Sequence, residues 1–465
     1  MTPPLRSERI LSTLNDDGTR RWLQPRVSHG RFLDRRRIVG YALIALFVAL
    51  PFLRIGGRPA LLLDVVSREL SVFGAVFRPS DGFILMLLGL TIVVAVFLVT
   101  ALFGRVWCGW GCPQTVYLEL VFRPVERWLE GTPGRQARLA RGGGLVPRRV
   151  LKWAIYIVLS CVLANVFLAY FVGVDRLGRW VLGSPLDHPG GFSVVAVVAA
   201  LMLFDFAWFR EQMCIVACPY GRLQSVLLDR QSLIVGYDAE RGEPRGKPKT
   251  RLPVLGEARG DCVDCNACVT TCPTGIDIRE GLQMECVGCA QCIDACDVVM
   301  DKLDRPRGLI GYTSQDVLAG KPRTLVRVRT IIYPAVLVLC ASLLGWAIGT
   351  HATTEITIGR VAGPAFIELP DGKVASALRI KLENESDERR RYTVTLRDAW
   401  DCKLRTPQTR WEIRPRKSME LPLFVDVPRS TFVHGRRDVY LRIDDDAGYQ
   451  RVIKVTLLGP EGTTP

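Results

Sequence analysis

Residues 105–113 read R-V-W-C-G-W-G-C-P and directly follow the apolar run 83–103. Two thiols, Cys108 and Cys112, therefore stand four positions apart where a membrane helix should end. The stretch E-Q-M-C-I-V-A-C-P at 211–219 repeats the arrangement, with Cys214 and Cys218 after the apolar run 192–209. After each proline comes an amphipathic stretch, Q-T-V-Y-L-E-L in one case and Y-G-R-L-Q-S-V-L-L in the other. A unit of span, C-x-x-x-C-P and helix is thus used twice. Residues four apart on a helix share a face, so each pair is expected to present two sulfurs to one site. Pro113 and Pro219 suit a break and a fresh helix start.

The apolar runs set the class of protein. Of 465 residues, 49% are hydrophobic, and they gather in long segments separated by charged ones. A helix needs about 20 apolar residues to cross ~30 Å of hydrocarbon. Five segments are read as spans, at about 38–53, 83–103, 151–173, 192–209 and 330–349. The first is short, but arginines bound it, and it has neither the position nor the cleavage site of a signal peptide. Arg31, Arg35, Arg36 and Arg37 precede it, nine Lys or Arg residues fill 104–152, and Arg323, Arg327 and Arg329 precede the fifth. The loops 54–82 and 174–191 are less basic. Basic loops mark the cytoplasmic side, which places the N-terminus there. Such loops account for the net charge of +15. The chain has no nucleic-acid motif, so lipid is the expected partner and nucleic acid is not.

With five spans, the tail from 350 lies outside the cytoplasm. Short alternating runs fill it: A-L-R-I-K-L-E at 377–383, Y-T-V-T-L at 392–396, L-P-L-F-V-D-V at 421–427, V-Y-L-R-I at 439–443 and R-V-I-K-V-T-L at 451–457. Period-two patterning between polar turns predicts an antiparallel, immunoglobulin-like sandwich. Docking is its expected role.

Fifteen cysteines occur, eight of them within 262–296. Residues 262–272 read C-V-D-C-N-A-C-V-T-T-C, and residues 286–296 read C-V-G-C-A-Q-C-I-D-A-C. Each is C-x2-C-x2-C-x3-C, the bacterial ferredoxin run, in which the fourth cysteine serves the other cluster. Cys262, Cys265, Cys268 and Cys296 are assigned to one [4Fe–4S] cluster, and Cys286, Cys289, Cys292 and Cys272 to a second. Gly275 and Gly288 suit close backbone approach to sulfur. The first run ends in Cys-Pro but the second in Cys296-Asp297, which sets a negative charge near a cluster. Structural zinc is the alternative, though it rarely needs eight cysteines in this double repeat. With four histidines, none inside an apolar run, and no C-x-x-C-H, haem ligation is not expected.

The expected organisation is a cytoplasmic tail 1–37, a four-span region 38–229, a cytoplasmic α+β ferredoxin module 230–329, a fifth membrane helix 330–349 and a periplasmic β-sandwich 350–465. For the paired thiols, inert burial, a redox couple, and a soft-metal site holding copper, zinc or iron–sulfur all stay open. Asp205, in F-D-F-A-W-F-R near the inner end of the fourth span, is a functional candidate because an intramembrane carboxylate is costly. Its bland alternative is a pairing with Arg210 or Arg105. Trp107, Trp110, Trp128 and Trp208 read as interface anchors, the arginines of 31–37 as a topology signal, and 242–248 as a linker.

The span order, W-C-G-W-G-C-P, the segment D-F-A-W-F-R-E-Q-M-C-I-V-A-C-P-Y-G-R-L-Q, the loop at 61–81, the double ferredoxin run and the terminal sandwich together resemble the FixG/CcoG family of cytochrome c oxidase accessory proteins. The resemblance covers roughly residue 30 to the C-terminus. It implies a bacterial inner-membrane polyferredoxin that reduces Cu(II) to Cu(I) during assembly of cbb3-type oxidase. The partners it implies are oxidase subunits or copper-delivery proteins, with a cytoplasmic reductant or quinol as donor. It points to Cys108, Cys112, Cys214 and Cys218 and to the eight cluster cysteines. A quinol-linked electron-transfer subunit of a respiratory reductase and a non-redox copper scaffold remain as alternatives.

Overall fold

The computed structural model describes residues 12–460 except 16, 66, 79, 80, 142–146, 247–259, 323, 325, 351–353, 362, 385, 387 and 416. Arg323 and the end of the 242–248 stretch therefore lie outside the described residues. The chain divides into two compact units, 1–344 and 345–465.

Four helices are long and apolar enough to cross a membrane: Gly82–Phe103, Pro147–Val172, Pro189–Phe209 and Val328–Gly349. The first has 22 residues and is about 33 Å long at 1.5 Å per residue. The remaining expected span, 38–53, differs. It is a helix from Arg31 to Ala49 followed by a tight turn, Leu50–Phe52. The arginine run forms its first two turns rather than a flank, so only its second half is apolar. Arginine is a good helix former, and a carboxylate from elsewhere caps the start. Asp294 accepts from the backbone nitrogens of Phe32, at 3.2 Å, and Leu33, at 2.8 Å. These are groups that a helix N-terminus leaves unpaired.

Between the first two of these five helices the chain folds into a small antiparallel meander, Leu61–Asp64, Glu69–Val72 and Ala75–Phe77. The cysteine-rich segment is bracketed by two strands, Ile234–Tyr237 and Ile310–Thr313, which pair antiparallel with Ile234 opposite Thr313. Helices Ala267–Thr270 and Gln291–Lys302 lie between them in sequence. The expected α+β module is therefore present, with Val235, Ile276, Ile293, Met300 and Ile310 in its core.

The second unit is an antiparallel sandwich. One sheet holds Lys403–Arg405, Ser418–Pro428, Lys373–Asn384, Thr354–Arg360 and the short Ile367–Glu368, and the other holds Arg410–Ile413, Arg390–Arg397, Arg436–Asp445 and Gln450–Leu458. Leu378, Ile380 and Leu382 are buried at every second position, and they meet Tyr392, Trp411, Leu423, Val425, Leu441 and Ile443. The five alternating runs are all strands here. Thr354–Arg360, Ile367–Glu368, Lys403–Arg405 and Arg410–Ile413 are strands outside those runs, and the last two turn only one or two apolar side chains inward.

Candidate iron–sulfur and thiol centre

Each cysteine run wraps through the same backbone turn. Its third and fifth residues have positive φ: Asp264 at 54° and Asn266 at 57° in one, Gly288 at 67° and Ala290 at 62° in the other. L-residues adopt this region at a cost, so the repetition marks a shape the site requires. Cys262, Cys265, Cys268 and Cys296 line one cavity with Tyr237 and Met300. Cys272, Cys286, Cys289 and Cys292 line another with Ile276 and Val287, and Cys268 borders both. Among the described residues no three His, Cys, Asp or Glu side chains converge on a single-ion position. A zinc site gathers its thiolates around one point, whereas a cubane needs them spread around a cavity. The donor set fits [4Fe–4S]. Asp297 is buried beside Cys296, and its charge is met by the Gly308 nitrogen at 3.2 Å and Arg31 at 3.8 Å.

The two thiol pairs also share one geometry. Four residues before each first cysteine the backbone reverses at positive φ, at Gly104 (58°) and Arg210 (53°). A short helical stretch follows, Val106–Trp110 or Met213–Ala217. Then Cys112 and Cys218 turn extended and cap new helices that begin at Pro113 and Pro219. The nitrogens of Cys112 and Cys218 each bond the carbonyl five residues back, on Trp107 and Met213, at 2.8 Å. The pairs thus straddle a break instead of sharing one helix face, and the prolines restart the helix as expected.

Cys108 is buried, and its thiol donates to Gln224 Oε1 at 3.0 Å. Burial pushes the Cys108 thiol up to about 11, against Arg105, with Cys112 and Cys218 adding. Burial pushes Cys214 up to about 12, with Cys112, Cys108 and Cys218 adding. Mutual influence of this kind means the four sulfurs gather in one region. Asp205 is held by Gln114 Nε2 at 3.1 Å, and neither expected arginine pairs with it. Arg210 instead reaches Glu126 at 3.1 Å, and Arg105 bonds the Met284 carbonyl.

The thiol loop is seated on the second cysteine run. Cys108 packs with Val287 and Cys289, and Cys214 and Tyr220 join them. Arg36 Nε donates to the Gly109 carbonyl at 2.6 Å. Trp110 Nε1 donates to the Tyr312 hydroxyl at 3.0 Å, and that hydroxyl donates to Gly288 O at 2.8 Å. Trp110 is therefore part of the site rather than an interface anchor, and Arg36 is part of it too, whereas Trp107, Trp128 and Trp208 are exposed. Sequence reading also missed Gln224 and Gln114, whose only signal is a polar amide beside each C-x-x-x-C-P. It missed a buried ionic cluster too, in which Lys152 meets Glu130 at 2.8 Å and Arg123 meets Glu211 at 3.0 Å.

Three family models match the chain: a 4Fe-4S binding domain at residues 85–135, a 4Fe-4S dicluster domain at 209–315, and the Ig-like fold at the C-terminus of FixG at 344–460. Protein RdxA of Cereibacter sphaeroides is 36% identical over 80% of this chain and 81% of its own. Protein RdxB of the same organism is 32% identical over 94% and 96%. Nitrogen fixation protein FixG of Rhizobium meliloti is 31% identical over 93% and 91%. The chain belongs to the FixG family. This FixG-family chain is an iron–sulfur electron-transfer protein of the membrane, with an Ig-like C-terminal domain. The stretch matched at 85–135 has Cys108 and Cys112 as its only cysteines.

Proposed function

We propose that this FixG-family protein passes electrons from a cytoplasmic reductant or quinol to Cu(II) at the paired thiols, yielding Cu(I) for assembly of cbb3-type oxidase. The packing of Cys108 and Cys214 against Cys289 carries this reading. Cys262, Cys265, Cys268 and Cys296 would hold one cluster, and Cys286, Cys289, Cys292 and Cys272 the other. When bound, each cluster supplies one-electron exchange. The chain's own residues do the rest. Gly109 allows the thiol loop to lie directly on Cys289, and Arg36, Trp110 and Tyr312 hold it there. Cys108, Cys112, Cys214 and Cys218 offer soft donors, which favour Cu(I) over Cu(II). Each Cu(II) takes up one electron, and the donor loses one per copper. Asp205 lies close enough to Cys112 to act on its thiol, and we assign it the proton that a thiol gives up on binding metal. The basic segments support a cytoplasmic ferredoxin module and a periplasmic sandwich, the latter docking oxidase subunits or copper-delivery proteins.

The test uses the protein purified with its clusters, reduced, and mixed anaerobically with Cu(II) while cluster absorbance is followed. Fast reoxidation is expected in the parent and at least about tenfold slower reoxidation in Cys214→Ser/Cys218→Ser, because a soft donor pair is lost. Reoxidation by quinone but not by copper would make the protein a quinol-linked subunit of a respiratory reductase. Copper binding without redox change would make it a scaffold.

One observation favours a second reading of the thiols. The 4Fe-4S binding domain matched at 85–135 has no cysteines here except Cys108 and Cys112. In that reading the four paired thiols hold a third cluster. Iron analysis separates the two, with about eight atoms per chain for two clusters and about twelve for three.

A further inference from the structure

Beside the thiol loop, between the arginine run and the second cysteine run, lies a pocket of about 260 Å³. Its walls carry Arg26, His29, Arg36, Arg37, Arg127 and Gln291. Two of these residues bury donors that have no partner. They are Nη2 of Arg36, a residue 2% exposed, and Nε2 of Gln291, a residue 5% exposed. Buried donors are nearly always matched, and a buried charged one is the most costly to leave alone. Among the lining residues the one carboxylate is Glu119, and it already pairs with Arg123. Burial holds the Arg127 guanidinium below its ordinary value. Glu119 opposes this, and the charges of Arg123 and Arg37 add to it. The pocket therefore combines spare donors with uncompensated positive charge.

We propose that this pocket binds a phosphate-bearing anion, whose oxygens accept from Arg36, Arg37, Arg127 and Gln291. Phosphate offers only acceptors, and its oxygens match the guanidinium fork. A neutral ligand would meet the donors but leave the charge. Leu120 and Tyr41 add an apolar wall. Arg36 and Arg37 stand directly before the apolar residues of helix Arg31–Ala49, the level at which lipid headgroups lie. The phosphate thus has two sources, the headgroup of an anionic phospholipid and soluble phosphate. Arg36 also holds Gly109 through Nε, so the bound anion completes the hydrogen bonding of a side chain that fixes the thiol loop. The site does not depend on whether copper, quinol or iron occupies the thiols.

The full-length protein with its clusters is placed in phosphatidylcholine nanodiscs carrying a small fraction of labelled phosphatidylglycerol. Retained lipid is counted by native mass spectrometry, and inorganic phosphate binding is measured separately. The parent is expected to retain phosphatidylglycerol about tenfold more tightly than Arg37→Gln/Arg127→Gln, since two charge-assisted pairs are lost. Phosphate binding that the same variant weakens, without lipid preference, supports the site and names the soluble source. Equal binding of both probes by parent and variant, or binding of neither by the parent, overturns the proposal. Cluster absorbance reports folding. If the double variant loses it, Arg37→Gln alone is read in the same way, and an unchanged affinity there counts against the site.

Discussion

At Gly109 a methyl group would fall 2.7 Å from the Val287 carbonyl oxygen and 2.8 Å from the nitrogen and Cα of Cys289. All three are backbone atoms, so no side chain can swing aside. Overpacking of this kind costs about 1–3 kcal/mol. Gly109→Ala should therefore push the thiol loop off the second cysteine run and alter the electron paramagnetic resonance signal of the reduced protein. Gly89→Ala is the control, because open space surrounds that position, and it should leave the signal unchanged. The thiols make a second prediction at this scale. With Cys108 raised to about 11 and Cys214 to about 12 by burial, both hold their protons at neutral pH. Copper must displace them, so apparent Cu(I) affinity should rise about tenfold per pH unit for each proton displaced. A competition titration across neutral pH checks this, and a flat profile would remove the thiols as ligands.

The repeated element explains both what the sequence discloses and what it hides. The C-x-x-x-C-P unit and its proline restart are legible because they are local. The break between the two cysteines is not, since the i, i+4 rule presumes an unbroken helix, and only the structure shows the reversal at Gly104 and Arg210. Gly104 is needed there because a side chain would strike the Leu233 carbonyl. Arg210 occupies the same conformation without that freedom, a strain worth about 1–3 kcal/mol. Relief of that strain predicts that Arg210→Gly stabilises; the ion pair predicts the reverse. Arg210 is buried against Glu126, and removing one partner of a buried pair costs about 3–5 kcal/mol. Lys152 stays 3.6 Å from Glu126, which favours the lower end, but the pair still outweighs the strain. Denaturant unfolding should show Arg210→Gly less stable than the parent, and adding Glu126→Gln should recover part of the loss. Hydropathy cannot tell such a cation from a solvated one, which is why Arg36 reads as a topology signal and Arg123 and Lys152 as loop charges. The sandwich strands were easier, because period-two burial depends on one strand's own sequence.

For the whole molecule, the decisive contact joins Gly109 to Cys289, and no local pattern encodes a pairing so distant in sequence. What the sequence does carry is an expectation of sidedness. Helix Val328–Gly349 has 22 residues and is apolar enough to cross a membrane, and few of its residues are buried within the protein. A helix of that length can cover the ~30 Å hydrocarbon core, and if it crosses, its two ends are expected on opposite sides. Arg327 and Arg329 stand at its start, where the positive-inside bias puts the cytoplasm. Two substitutions test this in a form otherwise depleted of reactive surface thiols. Val326→Cys lies just before the helix and Trp400→Cys on the sandwich, at positions 79% and 96% exposed. A membrane-impermeant maleimide should label Trp400→Cys in intact spheroplasts, and Val326→Cys only after the membrane is opened. The reverse pattern would put the ferredoxin module outside, in an oxidising compartment that favours disulfides over iron–sulfur ligation. Labelling of both from one side would mean that the helix does not cross, and the cytoplasmic electron donor would then have to be abandoned.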